Sequence, residues 1–386
     1  MATVSKDPSR KKTPWVVRWY DATGKQCKRG FPRRADADRF RADVEHQLNT
    51  GRYVDPVQGR RSFRDHAEAW RLAQPARPNT AARHRSNLDR HIYPALGHRP
   101  IASITATEIQ AFATSLGKQL KPGSVRTVTS VVRAIFAAAM KDGAIGRNPC
   151  EGLRLPVKPS EVIVPLTMEQ VDALAAGMPE RHRSLVVVAA GLGLRQGEVF
   201  GLKKGDVDQA KREIRIERQV QPLAGGGWEE CAPKNEFSRR TIPLPKAVQV
   251  ELTGHARRCP PAPGGWVFST PDGEPLQRAM FNPGIWARAR ESAALRFRER
   301  AGGLPEGEER AEVLRRADQL AECTMHDLRH FFASVLIAAG LNPKIVAARL
   351  GHSDPSLTLK TYVHLWPADD DRTREAVDQV MIGTRY

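Results

Sequence analysis

The sequence predicts a multidomain protein that is mainly α-helical and carries small β-sheets. Three observations support this fold class. The chain has 386 residues, which is too long for one ordinary core and suits two or three domains. Apolar residues recur at helical spacing through most of residues 62–152, and short alternating runs typical of strands occur near the N-terminus and between residues 213 and 244. We therefore expect three domains, at residues 1–60, 61–152 and 165–386.

The first domain is predicted to be a small basic ββα module. Residues 1–12 are polar and basic and are expected to form a mobile tail. The runs PWVVRWYD and QCKRGFP then predict two strands around a Gly-containing turn, and residues 34–49 show helical spacing. Because a two-stranded ribbon fits the DNA major groove, this hairpin is a candidate DNA reader, although charges that only solvate its outer face would look the same. The candidate contacts to phosphates or bases are Arg18, Lys25, Lys28 and Arg29.

The second domain, residues 61–152, is predicted to contain about four helices. Thr105 and Glu108 match a capping box, and Pro122 and Gly143 bracket a long amphipathic segment. Arginines on these helices are candidates for a DNA-facing side, with a plain solvated surface as the alternative. They are Arg83, Arg85, Arg126 and Arg133. Residues 152–163 carry two prolines and no clear period, which indicates a linker.

The third domain is expected to be mixed α/β and mostly α. Thr167 and Gln170 form a capping-box pattern ahead of its first helix. Residues 213–217, 228–233 and 240–244 alternate like short strands, so a small sheet interrupts the helices. Residues 301–321 are rich in Glu and Arg and predict an exposed helical insertion.

Charge and cysteine usage restrict the class of function. Lys and Arg exceed Asp and Glu by 61 to 43, a formal net charge of +18, which favours a polyanionic partner such as nucleic acid. No signal peptide or membrane-spanning run is visible, so we expect a cytoplasmic protein without a membrane partner. The five cysteines are scattered and form no CxxC pair. A metal site built on Cys323, His326 and His330 lacks a complete four-ligand set, and we expect neither metal nor cofactor.

Two of the four candidate chemical sites lie in the first half of the third domain. Arg195 and Glu198 occur in GLGLRQGEVFGL, just beyond an apolar helix. An arginine there can bind a phosphate through two parallel hydrogen bonds, and a structural Arg–Glu pair is the alternative. Lys234 lies between two predicted strands, where a hairpin tip would carry its ammonium into a groove; an ordinary solvated lysine is the alternative.

The other two sites lie near the C-terminus. HDLRH places His326 and Arg329 three residues apart on one face of an otherwise apolar helix, where a bound phosphate would satisfy both side chains. His330 is expected to face elsewhere and to be structural. The helix NPKIVAARL is followed by Gly351 and His352, and the next helix, opened by Ser-Asp-Pro, carries Tyr362.

These residue types together suit a phosphodiester attacked by a phenol better than a metal site or a Ser-His-Asp triad. In order along the chain, GLRxGE, a lysine ahead of SRRTIPL, HDLRH, LGH and a tyrosine ten residues on resemble the tyrosine recombinases, specifically phage-type integrases. The resemblance covers about residues 166–365. The hairpin module and the helical domain also resemble the arm-site-binding and core-site-binding domains of that family.

The resemblance implies a role for each matching residue. Arg195 and Arg329 would hold the scissile phosphate, and His352 would donate a hydrogen bond to it. His326 would accept or relay the tyrosine proton, Lys234 would protonate the leaving 5′-oxygen, and Glu198 would be supportive. Tyr362 would form a 3′-phosphotyrosyl bond, so that rejoining needs no ATP and no metal.

The resemblance also implies partners: double-stranded DNA attachment sites, a homotetramer in the synaptic complex, an excision factor and a DNA-bending accessory protein, in the cytoplasm of a bacterial host and associated with its nucleoid. The segment after Tyr362 is expected to form a last helix that packs on a neighbouring subunit or on its own domain. Four alternatives stay open: a type IB-like topoisomerase, a chromosome-dimer resolvase, a catalytically inactive DNA-binding regulator and a metal-dependent nuclease.

Overall fold

The chain divides into two compact units in the computed structural model, Met1–Ser160 (the amino-terminal unit) and Glu161–Tyr386 (the carboxy-terminal unit). The structure describes residues 2–20, 24, 26–49, 54–157, 162–223, 225–233, 236–260, 263–366 and 370–383. Most of these residues are helical, with small sheets in both units, as the sequence predicts.

The amino-terminal unit begins with a three-stranded antiparallel sheet and one helix. The strands are β1 (Thr3–Lys6), β2 (Trp15–Tyr20) and β3 (Gln26–Phe31), in the order β1-β2-β3, followed by helix α1 (Arg34–Asn49). Strand β1 corrects two predictions: the module is βββα rather than ββα, and residues 3–6 are not a mobile tail. The physical reason is that Val4 pairs with Val17 across the sheet and packs against the cluster formed with α1.

The rest of this unit is a helical bundle around its own apolar cluster. Its helices are α2 (Pro56–Arg60), α3 (Phe63–Ala73), α4 (Pro78–Asn87), α5 (Tyr93–Leu96), α6 (Ala106–Gly117) and α7 (Pro122–Lys141). The predicted capping box is present, because Thr105 Oγ1 accepts from Glu108 N–H and the Glu108 carboxylate accepts from Thr105 N–H. Leu153 and Leu155 pack against the bundle, so the start of the segment interpreted as a linker belongs to this unit.

The carboxy-terminal unit is built mainly from helices around one large apolar core. Its helices are α8 (Met168–Gly177), α9 (Glu180–Leu192), α10 (Gln196–Phe200), α11 (Lys246–Arg258), α12 (Arg278–Met280), α13 (Ala287–Gly302), α14 (Glu308–Glu322), α15 (Met325–Ala338), α16 (Pro343–Leu350), α17 (Pro355–Tyr362) and α18 (Asp370–Gly383). Helix α9 contacts α8, α11 and α15 and is central to this unit.

Among the described residues of this unit, five short strands form two sheets. They are β4 (Val207–Asp208), β5 (Glu213–Ile216), β6 (Gln219–Pro222), β7 (Trp228–Cys231) and β8 (Arg240–Pro243). One sheet has the order β4-β5-β8 and the other pairs β6 with β7. Strands β7 and β8, which flank Lys234 in the sequence, therefore belong to different sheets, and Lys234 itself lies outside the described residues.

The Glu/Arg-rich stretch at residues 301–321 is not an exposed insertion. Helix α14 packs along α13, and Val313, Ala317 and Leu320 are buried in the core of the unit. The charged residues of α14 occupy its outer face, where Arg298 of α13 pairs with Asp318. The composition reflected one face of the helix, and the three apolar positions determine its packing.

No helix among the described residues is both long and apolar enough to cross a membrane. Within the same part of the chain, His, Cys, Asp and Glu side chains form no group of three or more that can hold a metal ion.

Candidate active site

Arg195 is placed by the tight connection between α9 and α10. Gly193 ends α9 in the left-handed conformation, with φ of +62°, and a Cβ there would lie 2.3 Å from Cδ1 of Phe332. Arg195 then caps α10: its N–H donates to Glu198 Oε2 at 3.0 Å and its Nη1 donates to Glu198 Oε1 at 2.8 Å. The Arg195 side chain stays one-third exposed, so a ligand can reach it.

Glu198 is buried between two arginines. Arg240, from β8, donates from Nη2 to Oε2 at 3.0 Å and from Nη1 to Oε1 at 3.2 Å, opposite Arg195. Burial by itself would raise the pKa of Glu198, but Arg240 and then Arg195 lower it below its ordinary value. The carboxylate is therefore charged at neutral pH and orients both guanidinium groups.

Three arginines meet the last carbonyls of α16. Arg240 Nε donates to the carbonyl of Arg349 at 2.8 Å, Arg329 Nη2 to that of Leu350 at 2.5 Å, and Arg195 Nη2 to that of Gly351 at 3.1 Å. The last carbonyls of a helix lack partners within the helix, and cations are favoured at this end. Elements distant in sequence are thus joined at one point, directly before His352.

Arg329 is the most deeply placed of the three arginines. Only 1% of it is exposed, and its Nη1 also donates to the carbonyl of Gly193 at 2.8 Å. Burial, followed by the nearby Arg195, lowers its pKa to about 9. The guanidinium stays charged at neutral pH and contributes positive potential close to Arg195.

His352 follows α16 and is half-buried beside these guanidinium groups. Gly351 ends the helix with φ of +68°, and the ring then turns so that Nδ1 lies 2.8 Å from Thr358 Oγ1 on α17. Burial, then Arg329 and Arg195, lower the pKa of His352 to about 4. The ring is neutral at physiological pH and retains one N–H to donate.

His326 lies in the first turn of α15, after the cap formed by Thr324. Its ring is accessible, and partial desolvation, then His330 and Arg329, lower its pKa. His326 and Arg195 line one polar cavity of about 560 Å³, whose walls also include Arg278 and Arg290. Its lining residues include no carboxylate, so the cavity is strongly positive.

Tyr362 is the last residue of α17 and is 1% exposed. Burial raises the pKa of its phenol to about 12, against an opposing effect of Arg329. Its hydroxyl lies 2.7 Å from Nδ1 of His330. The expectation that His330 faces elsewhere is therefore wrong: α15 turns His330 toward α17, and the His330 and His326 rings meet edge to face at 4.7 Å.

The sequence-predicted residues thus fall into two sets. Arg195, Arg329 and His352 converge at the end of α16, and His326 shares a cavity with Arg195. Tyr362 is connected to His326 through His330. Lys234 lies outside the described residues.

The candidate DNA contacts of the sheet module occupy both of its faces. Arg18 pairs with Lys28 across β2 and β3, on the face away from α1. Arg29 lies on the α1 side, with its guanidinium 4.9 Å from the ring centroid of Phe40. Lys25 lies outside the described residues.

The candidates in the helical bundle are all exposed, and three of them bond within the unit. Arg85 pairs with Glu68 and Asp89. Arg126 donates to the carbonyl of Pro156, and Arg133 to that of Cys150. Arg83 is exposed on α4.

Sequence reasoning missed Arg240 and His330. Arg240 belongs to SRRTIPL, a motif used only to locate Lys234, and β8 points it inward. The available signal was its spacing of two residues from Ile242, since alternate residues of a strand face the same side and Ile242 is buried. His330 lies four residues after His326, a spacing that places two side chains on one helix face.

Two family models match the chain. The model described as the phage integrase family matches residues 165–368, and the model described as the phage integrase central domain matches residues 63–155. The first match includes every residue of the candidate active site.

Among curated proteins, the integrase of Mycobacterium phage D29 is 22% identical over 358 residues, covering 90% of this chain and 88% of that protein. The integrase of Mycobacterium phage L5 is 25% identical over 326 residues, covering 83% and 79%. Among solved structures, the Tn1549 transposon integrase in complex with transposon right end DNA superimposes with a TM-score of 0.66 at 21% identity, covering 83% of this chain and all of that one. A lambda integrase tetramer bound to a Holliday junction gives 0.56 at 18% identity, covering 92% and 96%. These likenesses show the fold.

Proposed function

The chain belongs to the phage integrase family, and from that premise we propose that it is a site-specific DNA recombinase that cuts and rejoins strands at attachment sites through a 3′-phosphotyrosyl bond. The observation that carries the proposal is the convergence of Arg195, Arg329 and His352 at the carboxyl end of α16. The accessible guanidinium of Arg195 and the neutral N–H donor of His352 suit the two non-bridging oxygens of a phosphodiester, and the buried Arg329 adds positive charge behind them.

The described residues of the site are suited to stabilise negative charge on the phosphate. Arg195 is the accessible clamp, held in orientation by Glu198. Arg329 acts from behind it as a buried positive charge. Since His352 is neutral, it donates a hydrogen bond to the phosphate without adding charge. As the attacking oxygen approaches, negative charge grows on the non-bridging oxygens, and these donors stabilise it.

Two protons must move during cleavage. The phenol of Tyr362 loses its proton as its oxygen bonds to phosphorus, and the departing 5′-oxygen gains one. Lys234 is proposed to donate the proton that the departing 5′-oxygen gains. The 3′-phosphotyrosyl bond conserves the energy of the broken ester, so a 5′-hydroxyl from another duplex reverses the step without ATP.

Tyr362 is covered in this structure, since 1% of it is exposed and it packs with Phe332, Ile337 and Leu350. Attack on DNA therefore requires a local rearrangement of α17. Helix α17 is short, with eight residues, so it can move without unfolding the core of the unit.

The remaining basic surfaces fit a DNA partner. Arg18 and Lys28 lie directly opposite on neighbouring strands, on the face of the sheet away from α1, where two cations side by side can bind a phosphate; Arg18 also donates to Ser5 Oγ. A tetramer on two duplexes is the proposed working assembly, supported by the lambda integrase tetramer bound to a Holliday junction. An excision factor and a DNA-bending protein are proposed accessory partners, in the cytoplasm of a bacterial host.

The test is covalent adduct formation. Wild-type protein is incubated with a nicked duplex that carries the direct repeat flanking the element, and products are separated under denaturing conditions. The wild type is expected to form a protein–DNA adduct and Tyr362→Phe none. Tyr20→Phe, which removes an exposed hydroxyl on β2, should retain the adduct. Undiminished adduct with Tyr362→Phe would refute the assignment, and relaxation of plasmids of any sequence would favour the topoisomerase alternative.

A further inference from the structure

We propose that His330 is a catalytic residue that positions the phenol of Tyr362 and takes its proton as the bond to phosphorus forms. The inference rests on the proposed function and assigns to His330 the proton transfer that the family resemblance implied for His326. It arises from one contact that no motif predicts, between α15 and α17, and it requires this contact to persist when the rearrangement of α17 uncovers the phenol.

The contact is direct and well enclosed. Nδ1 of His330 lies 2.7 Å from the Tyr362 hydroxyl, and the two rings meet at 65° with centroids 5.6 Å apart. His330 is half-buried and Tyr362 almost fully so. Because Phe332 and Leu350 pack around the phenol, the ring of His330 is held against its hydroxyl.

With His330 as the acceptor, every proton that leaves Tyr362 during cleavage is accounted for. In the neutral ring with its hydrogen on Nε2, Nδ1 carries a lone pair and accepts from the phenol. As the tyrosine oxygen bonds to phosphorus, its O–H bond breaks and the proton passes to Nδ1, giving an imidazolium. On rejoining, the phosphotyrosyl bond breaks, and His330 returns the proton to the tyrosine oxygen.

The charges around His330 suit a transient imidazolium. On its own helix, Asp327 raises its proton affinity, while burial, the largest effect, and Arg329 keep the ring neutral at rest. His326, one turn earlier, meets its ring at 4.7 Å and opens onto the cavity shared with Arg195. His326 therefore lies on the route between the inner ring and water.

Burial also keeps the phenol of Tyr362 protonated before it attacks the phosphate. A phenol whose pKa lies well above neutrality gives almost no free phenolate. The proton must therefore leave during attack, and an acceptor within hydrogen-bonding distance is needed at that moment.

The experiment compares single-turnover adduct formation by full-length wild type, His330→Ala, His330→Asn and His330→Gln on the same nicked duplex at saturating protein. The Asn carboxamide occupies the place of Nδ1 and orients the phenol but cannot take its proton; Gln places its amide nearer the position of Nε2. We expect His330→Ala and His330→Gln to slow adduct formation by roughly 10²–10⁴-fold. His330→Asn is expected to recover about tenfold of that loss, and DNA affinity should be unchanged in all three.

A second measurement separates a role through the phenol from general damage. In the Tyr362→Phe background, hydrogen peroxide supplies a small nucleophile for the same phosphate, and adding His330→Ala should leave peroxide-driven cleavage unchanged. A His330→Ala rate equal to or above that of wild type would overturn the inference, since His330 would then only hold the resting tyrosine. Equal losses in both reactions would overturn it too. Absence of any wild-type adduct would refute the proposed function itself.

Discussion

Replacing Arg240 with Met tests whether the buried ion pair with Glu198 holds the site together. The Arg240 side chain is 6% exposed and that of Glu198 1%. The substitution removes two hydrogen bonds to the carboxylate, at 3.0 and 3.2 Å, one to the carbonyl of Arg349 at 2.8 Å and one to the carbonyl of Ser238 at 3.0 Å. Glu198 is left with Arg195 as its remaining ion-pair partner at the site.

The expected loss in the free energy of unfolding follows from the burial of the ion pair. Removing one partner of a buried ion pair costs about 3–5 kcal/mol, because the other charge is left without compensation. Since Arg195 still bonds Glu198 at 2.8 Å, we expect the lower end, about 3 kcal/mol. For a unit of this size, that lowers the unfolding midpoint by roughly 6–12 °C.

Scanning calorimetry of the full chain measures the shift. The matched control is Arg298→Met, which breaks a pair with Asp318 whose side chains are 49% and 74% exposed and should cost below about 1 kcal/mol. The double variant Arg240→Met/Glu198→Gln also takes the carboxylate away from Arg195 and from the buried Arg329, so it should be less stable than the single variant. An Arg240→Met cost no larger than that of the control, or a double variant more stable than the single one, would contradict this account of the ion pair.

Two further predictions concern proton transfer and acid stability. Lys234→Ala should slow adduct formation on ordinary DNA by roughly 10²–10⁴-fold, and a sulfur in place of the leaving 5′-oxygen should restore the rate, because a thiolate departs without a proton; a deficit that persists with sulfur would remove the general-acid role. His182 is 5% exposed and burial, then Arg181, lower its pKa to about 4. Its neutral form is favoured on folding, so its contribution to stability is complete above about pH 6.5 and is lost as the pH falls toward 4, by up to about 3 kcal/mol. Urea unfolding of His182→Phe between pH 7 and 4 should show a weaker pH dependence than wild type, and identical slopes would contradict this origin.

Local sequence specified the termini of the helices that place the site. Thr324 and Asn342 cap α15 and α16 with their side-chain oxygens, and Gly351 ends α16 in the left-handed conformation. Such features depend on a few neighbouring residues and on backbone sterics, so they are readable without a structure. The charge of +18 likewise predicted a polyanionic partner.

Packing decided what periodicity and composition did not. Strand β1 exists because Val4 meets Val17 across the sheet. Helix α14 is charged in composition but buries Val313 and Leu320 in the core. Both predictions failed because the deciding contacts join residues distant in sequence or lie on one face of a charged segment.

The sequence by itself determined which residue types are present for phosphodiester chemistry and in which order they occur, because short motifs carry that information. The tertiary structure alone decided their partners. It places three arginines on the successive carbonyls of Arg349, Leu350 and Gly351 at the end of α16, and it joins Arg240 to Glu198. It also turns His330, rather than His326, toward the phenol of Tyr362. Hydrogen bonds between side chains on different elements depend on how helices pack, and spacing along one chain does not encode them.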